Sequence, residues 1–435
     1  MEKPVHVAPP PAGLRGTIAV PGDKSIAHRA LLFGALAEGE TVVSGFPGGA
    51  DTLSTLGAVR ALGAAAEQKG DVVRIEGRGL ALGRDLELQI DCGNSGTTMR
   101  LVAGLAAGVP GHVVLDGDAS LARRPMERVA EPLRAMGATI ETTAGHAPLA
   151  VRGAALTAIE WTLRVASAQV KSAILLAGLR ASGTTRVREP LASRDHTERL
   201  LPHFGARLTR GAAGVGVEGG ARLRATTVPL PGDPSSAAFL VVAASLVPGS
   251  DLRLTAVGTN PTRTGFLDVL RGMGAAIEVR NETEIAGEPR AELNVRAARL
   301  RGTDILPEEV PGTIDELPVL CVAAACAEGE TTIAGAAELR VKESDRIAAL
   351  EQLRLLGVPV RATSDGLVIR GNGGRRLASA QIATHGDHRV AMAFAVAGLV
   401  ADGGVAIDDP GSAAVSFPHF FARLAGLGAR VASER

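Results

Sequence analysis

The sequence predicts an α/β (α+β) protein of two lobes, each built from three βαβαββ units. Three observations lead there. An apolar, helix-like run with a glycine at its end and a β-branched stretch after it recurs six times. An amphipathic helix end followed by Gly-Ala or a similar pair, then a strand, also recurs six times. The two phrases strictly alternate, which marks six repeats of roughly 70 residues each.

In chain order, the first phrase reads ALAEGETVVSG from Ala35, LAAGVPGHVVL from Leu105 and RASGTTRVRE from Arg180. It continues as LVPGSDLRL from Leu246, ACAEGETTIAG from Ala325 and VADGGVAI from Val400. The second reads RALGAAAE from Arg60, RAMGATIE from Arg134, PHFGARLT from Pro202, RGMGAAIEV from Arg271, RLLGVPV from Arg354 and AGLGARV from Ala425. In both, the glycine is expected where a helix C-terminus needs a left-handed residue. The pattern breaks at TVPLPGDP, residues 227–234, and its PGD also occurs at Pro21. This divides the chain into an N-terminal lobe, 21–230, and a C-terminal lobe, 231–435, with residues 1–20 joined to the latter.

Composition narrows the function. The chain is 46% hydrophobic and 21% charged, ordinary values for a globular protein. Aromatics are 2%, with no Tyr and one Trp (Trp161), so Ala, Val, Leu and Ile must build the core. Lys+Arg and Asp+Glu are both 46, which gives no global field for nucleic acid, and a base-stacking surface lacks its aromatics. Cys92, Cys321 and Cys326 show no metal-ligand spacing and read as reduced thiols. No signal-peptide core and no membrane-length apolar run is present. The expectation is a soluble cytoplasmic protein.

Polar clusters open the apolar helices. Residues 21–39, PGDKSIAHRALLFGALAEG, place Lys24, Ser25, His28 and Arg29 in and next to a first turn. Lys24/His28 and Ser25/Arg29 each share a helix face. A helix N-terminus already offers unpaired N–H groups and positive potential, so these residues would make a phosphate or carboxylate site. A charged turn facing water is the competing reading.

The combination recurs. Asn94 or Ser95 would cap a helix containing Arg100, with Gly96 allowing close approach to the backbone. Arg123 and Arg124 precede Pro125, expected at a first helical position. Ser167, Gln169, Lys171 and Ser172 open another apolar run. Ser193 and Arg194 precede Asp195, His196 and Thr197, which look like capping residues; no Gly-x-Ser-x-Gly turn supports a hydrolase. Asp315 and Glu316 open a further helix, where the dipole alone would favour them. Arg340, Lys342, Glu343, Asp345 and Arg346 fall within seven residues, and Asp387, His388 and Arg389 complete the series. Capping and surface charge pairing explain single clusters. Together they predict a cleft between two lobes that binds polyanions by arginine and moves protons with Asp315 and Glu343. No metal cluster, Walker loop or dinucleotide fingerprint accompanies them.

In this order, PGDKSIAHRA, NSGTTMR, SLARRPM, SAQVKSA, SRDHTERLL, DELPVL, RVKESDR and GDHRVAMA resemble the 3-phosphoshikimate 1-carboxyvinyltransferase (EPSP synthase) family, from about residue 21 to 420. The resemblance implies the two-lobed enolpyruvyl transferase-like fold, with the N-terminal strand in the C-terminal lobe. It implies transfer of the enolpyruvyl group of phosphoenolpyruvate to the 5-hydroxyl of shikimate 3-phosphate, in the shikimate route to chorismate and aromatic amino acids. Addition then elimination needs no metal and no cofactor. By resemblance, Lys24, Ser25, Arg29, Ser167, Ala168, Gln169, Ser193, Asp315 and Lys342 hold shikimate 3-phosphate. Lys24, Asn94, Gly96, Arg124, Gln169, Arg346 and Arg389 hold phosphoenolpyruvate. Asp315, Glu343 and Lys24 are the catalytic groups, and the lobes close around substrate.

The resemblance further implies a monomer that binds neither nucleic acid nor membrane and is open to inhibition by glyphosate. One departure bears on that: Val415 stands in AAVSFPHF where many members have lysine. Three alternatives remain. The UDP-N-acetylglucosamine enolpyruvyl transferase shares the fold but usually carries a cysteine in the SLARRPM loop. An RNA 3'-phosphate cyclase suits a more basic surface. A non-catalytic anion-binding scaffold would be expected to lose Asp315 or Glu343.

Overall fold

A computed structural model describes residues 3–79, 82 and 86–433. Two lobes divide the chain. One comprises Gly22–Leu230 with Glu284–Glu288; the other comprises Met1–Pro21, Pro231–Thr283 and Pro289–Arg435.

One plan serves each sheet. Leu86–Asp91 runs parallel to Gly111–Asp116, which is antiparallel to His146–Arg152, and Thr139–Thr143 closes the edge. Among the described residues there are six such sheets, three in each lobe. In the N-terminal lobe, Ala37–Ser44 takes its parallel partners from Leu223–Arg224 and Thr227–Pro229, at the far end of the lobe's sequence. In the C-terminal lobe, Arg15–Ala19 runs parallel to Asp251–Gly258. Val5–Ala8 fills the inner antiparallel position between Val405–Ile407 and Arg430–Ser433. The segment before Pro21 thus supplies two strands to the C-terminal lobe, and its sixth unit is complete only with the chain's first strand.

Each unit also contributes one inner helix: Lys24–Leu36, Gly96–Ala107, Ala168–Gly178, Pro234–Leu246, Leu317–Cys326 and His388–Gly398. They are apolar around nearly the whole circumference, as fully buried helices are. Each lobe has its own core of Ala, Val, Leu and Ile gathered around its three inner helices. Small residues permit close approach: a Cβ on Gly104 would lie 2.3 Å from the Ala173 carbonyl oxygen on the neighbouring inner helix. Gly104→Ala would therefore force two core helices apart.

The glycines of the second phrase behave as expected. Gly63, Gly137, Gly205, Gly274, Gly357 and Gly428 all have positive φ at the end of an outer helix. Those of the first phrase are not left-handed helix ends: Gly108 caps helix Gly96–Ala107 at φ −98°, and Gly39, Gly183, Gly249, Gly329 and Gly403 lie beyond their helices. Lys24–Leu36 passes straight into strand Ala37–Ser44 through an extended Ala37, and Gly39 takes positive φ inside that strand. Leu317–Cys326 ends in the same way at Ala327, with Gly329 beyond it. The helix-to-strand exit needs no left-handed residue, and the glycine serves the turn after it.

Candidate active site

In the N-terminal lobe the first turn of helix Lys24–Leu36 is tied down by four-residue ladders. Lys24 Nζ lies 2.8 Å from Asp51 Oδ2, and one turn later His28 Nδ1 lies 2.6 Å from Thr55 Oγ1. Asp51 and Thr55 are themselves four apart on helix Ala50–Ala61. Burial pulls His28 down to about 3, against the pull of Asp51, so the ring is neutral and Lys24 carries the positive charge of this ladder.

Arg29 faces the other way. Its guanidinium donates to Thr197 Oγ1 at 2.7 Å, Ser172 Oγ at 2.7 Å and the Ser25 carbonyl at 2.8 Å. Burial lowers its pKa to about 10, with Glu198 and Asp23 opposing, so it stays charged at neutral pH. Beside it Lys171, 1% exposed, pairs with Glu198 at 2.6 Å and Glu189 at 2.8 Å. Glu189 in turn accepts from the Ser193 N–H (3.0 Å) and hydroxyl (2.6 Å). Arg194 Nη1 reaches Ser25 Oγ at 3.4 Å.

The neighbouring helix starts add a second group. Ser95 caps helix Gly96–Ala107 by accepting from Thr98 N. Asn94 instead accepts from Arg124 Nη2 and donates to Asp118. Gln169, in the first turn after the Ser167 cap and Ala168, donates to Thr97 Oγ1 at 2.8 Å and accepts from Arg100 Nη1 at 2.5 Å. A Cβ on Gly96 would stand 2.8 Å from Arg100 Nη1 and 3.2 Å from Arg124 Nη1. That glycine keeps the space in front of both arginines clear.

In the C-terminal lobe the centre is Asp315, just before helix Leu317–Cys326. Its carboxylate lies 3.4 Å from Arg389 Nη2, 3.6 Å from Arg346 Nη1 and 3.9 Å from Lys342 Nζ. Arg346, 1% exposed, also binds Glu343 at 2.6 Å and Asp387 at 2.8 Å. Burial works against the Arg346 charge, but Asp387, Glu343 and Asp315 outweigh it and raise its pKa. Burial likewise opposes ionisation of Asp387, and Arg346 overcomes it, holding the carboxyl below the usual range. For Lys342, desolvation lowers the pKa and Asp315 pulls the other way.

Two expectations change and one open choice closes. Pro125 does not open a helix: Met126 and Glu127 donate their N–H groups to the Gly145 carbonyl, so the helix begins at Glu127 and Arg124 lies in the connection before it. Asp195 and Thr197 are not capping side chains. The Asp195 carboxylate accepts from Arg199 Nε, and Thr197 accepts from Arg29. Of the two cap candidates at 94–95, Ser95 takes the role.

Asp51, Thr197, Glu198 and Asp387 had no site role in the sequence reading. For Asp387 a signal existed: Gly-Asp precedes three inner helices, at Asp23, Asp233 and Asp387, and each aspartate caps its helix. The second and third also bind a buried arginine, Arg263 and Arg346.

Six βαβαββ units in two lobes, with basic and acidic side chains gathered at inner-helix starts, define an enolpyruvyl transferase-like fold. The comparisons with known proteins agree. The family model for EPSP synthase (3-phosphoshikimate 1-carboxyvinyltransferase) matches residues 9–424. The chain is 55% identical over 423 residues to the 3-phosphoshikimate 1-carboxyvinyltransferase of Halorhodospira halophila, covering 96% of this chain and 95% of that protein. It is 52% identical over 418 residues to the enzyme of the same name from Geobacter sulfurreducens, covering 95% and 97%. A solved structure of EPSP synthase from Acinetobacter baumannii superposes with a TM-score of 0.87 at 44% identity, covering 99% of this chain and 100% of that one. The chain belongs to the EPSP synthase family and is a transferase.

Proposed function

We propose that this chain transfers the enolpyruvyl group of phosphoenolpyruvate to the 5-hydroxyl of shikimate 3-phosphate, and that the two clusters hold these substrates. The observation that carries the reading is the Asp315 carboxylate among Lys342, Arg346 and Arg389, with Glu343 on the same arginine. Such an array joins anion-holding cations to groups that move protons.

Ser25, Arg29, Ser167, the Ala168 backbone, Gln169 and Ser193 hold shikimate 3-phosphate, with Lys24, Lys342 and Asp315. The Ser193 hydroxyl donates to Glu189, so giving its proton to a phosphate requires the hydroxyl to turn about Cβ–Oγ. Asn94, Gly96, Arg124, Gln169, Arg346 and Arg389 hold phosphoenolpyruvate, with Lys24.

In the addition step the 5-hydroxyl oxygen bonds to C2 of phosphoenolpyruvate, Asp315 takes the hydroxyl proton, and Glu343 delivers a proton to the methylene carbon. In the elimination step Glu343 takes a proton back from the new methyl group. The C2–C3 double bond re-forms, the C2–O bond to phosphate breaks, and Lys24 protonates the leaving phosphate. Bound arginines supply charge stabilisation that is already oriented.

Glyphosate is read as a competitor of phosphoenolpyruvate. Gly96 favours its binding, and Val415 in place of lysine removes one cation from the subsite. The protein is also read as a cytoplasmic monomer; its three cysteines, all free and buried, suit a reducing compartment.

The test is phosphate release from phosphoenolpyruvate with shikimate 3-phosphate and UDP-N-acetylglucosamine offered separately. Release with the first alone is expected; release with the sugar nucleotide alone moves the chain to the sister activity. Arg124→Ala should raise the KM for phosphoenolpyruvate by ~10-fold or more, the scale of a lost charge-assisted contact. A selective effect on shikimate 3-phosphate instead would contradict its assignment.

A further inference from the structure

We infer that Asp118 is a positioning residue for the phosphoenolpyruvate half of the reaction, setting both the Asn94 amide and the seat of Arg124 with one carboxylate. The inference rests on the proposed role of Arg124.

The main-chain side comes first. Asp118 caps the short helix Ala119–Ala122, its Oδ1 accepting from Leu121 N at 2.8 Å. The Arg124 N–H then donates to the Leu121 carbonyl at 3.0 Å, so the path of the chain to Arg124 starts from that cap. The Asp118 N–H itself donates to the Gly93 carbonyl at 2.9 Å, one residue before Asn94.

The side-chain route starts from the same carboxylate, which shares Oδ1 with the cap and adds Oδ2. Asn94 Nδ2 lies 2.9 Å from Asp118 Oδ1 and 2.7 Å from Oδ2. An ionised carboxylate only accepts, so it draws the NH₂ of the amide to its own side. The Asn94 oxygen is thereby turned the opposite way, where Arg124 Nη2 donates to it. With the amide reversed, an NH₂ would face the guanidinium and the contact would become donor against donor. Asp118 touches no substrate in this scheme; it decides which end of Asn94 the arginine meets.

Asp118→Asn separates the two routes. Asn caps a helix as well as Asp does, so the fold of 119–122 is kept. Its own NH₂, however, must replace one accepting oxygen, and one of the two amides is forced to turn. The expected result is an unchanged thermal midpoint, a phosphoenolpyruvate KM raised ~10-fold, and a shikimate 3-phosphate KM within about twofold of the parent, on the scale of a charge-assisted hydrogen bond. Asp118→Ser, which also keeps a capping oxygen, should give the same split. In an Asn94→Ala enzyme, Asp118→Asn should add nothing further, because the two act in series.

Equal rises in both KM values, or independent effects of Asp118→Asn and Asn94→Ala, overturn the inference and leave Asp118 a structural cap. The same holds if Arg124→Ala raises the phosphoenolpyruvate KM while Asp118→Asn is silent. If Arg124→Ala itself leaves that KM unmoved, the half-site reading fails and the inference with it.

Discussion

Asp315→Asn is expected to lower kcat by ~10²–10⁴-fold, the usual worth of a positioned acid or base, far more than it weakens shikimate 3-phosphate. The amide matches the carboxylate in size and cannot accept the hydroxyl proton. The Arg389 seat survives, because Arg389 Nη1 also donates to the Asp315 main-chain carbonyl at 3.0 Å. Lys342, Arg346 and Arg389 lose a shared negative neighbour, so the net positive charge facing the substrates rises. Affinity for phosphoenolpyruvate should therefore hold or tighten while turnover collapses. Initial rates of phosphate release give kcat, and calorimetric titration gives the two dissociation constants. A kcat within tenfold of the parent, or affinity lost in proportion to turnover, would remove Asp315 from the role of base.

What the sequence revealed and what it hid follow from how local each feature is. The outer-helix glycines were legible because positive φ is a requirement of one residue, and all six of the second phrase have it. The six-unit plan was legible because each unit repeats that local grammar. Arg29 was visible as a charge beside Lys24 and Ser25, yet its partners Ser172 and Thr197 lie 143 and 168 residues away. No periodicity encodes such a pairing; only the folded lobe brings three helix starts together. Asn94 shows the same limit at short range. Beside Ser95 it reads as a cap, and only Asp118 and Arg124, 24 and 30 residues on, give it other work. Asp387 was seen as one more charge before a helix, while its strongest partner, Arg346, stands 41 residues earlier. The roles assigned to individual residues came from the ordered resemblance, and the family it named is the one to which the chain belongs.

Arg346→Met is expected to destabilise the C-terminal lobe by about 3–5 kcal/mol at neutral pH, the range for breaking a buried ion pair from one side, and to reverse its acid response. Asp387 is fully buried and Arg346 is 1% exposed, so water can replace neither partner. In the parent, the Asp387 carboxyl sits below its ordinary value of 3.8 because Arg346 outweighs the burial penalty. A folded pKa below the unfolded one contributes stability that is present above about 3.8 and lost as pH falls through the folded value. Without the guanidinium, burial becomes the leading influence and should lift the carboxyl above its unfolded value. Its sign then inverts: the folded state holds a proton that the unfolded chain has released, and stability falls as pH rises, by at most ~1.4 kcal/mol per pH unit. The measurement is denaturant unfolding of both proteins between pH 7 and pH 5. The gap between them should narrow on acidification as Asp387 takes up its proton. A gap that is constant over this range, or that widens, would mean that Asp387 finds another cation when Arg346 is gone, and the pair could not then be what holds the inner-helix cap and Glu343 in register.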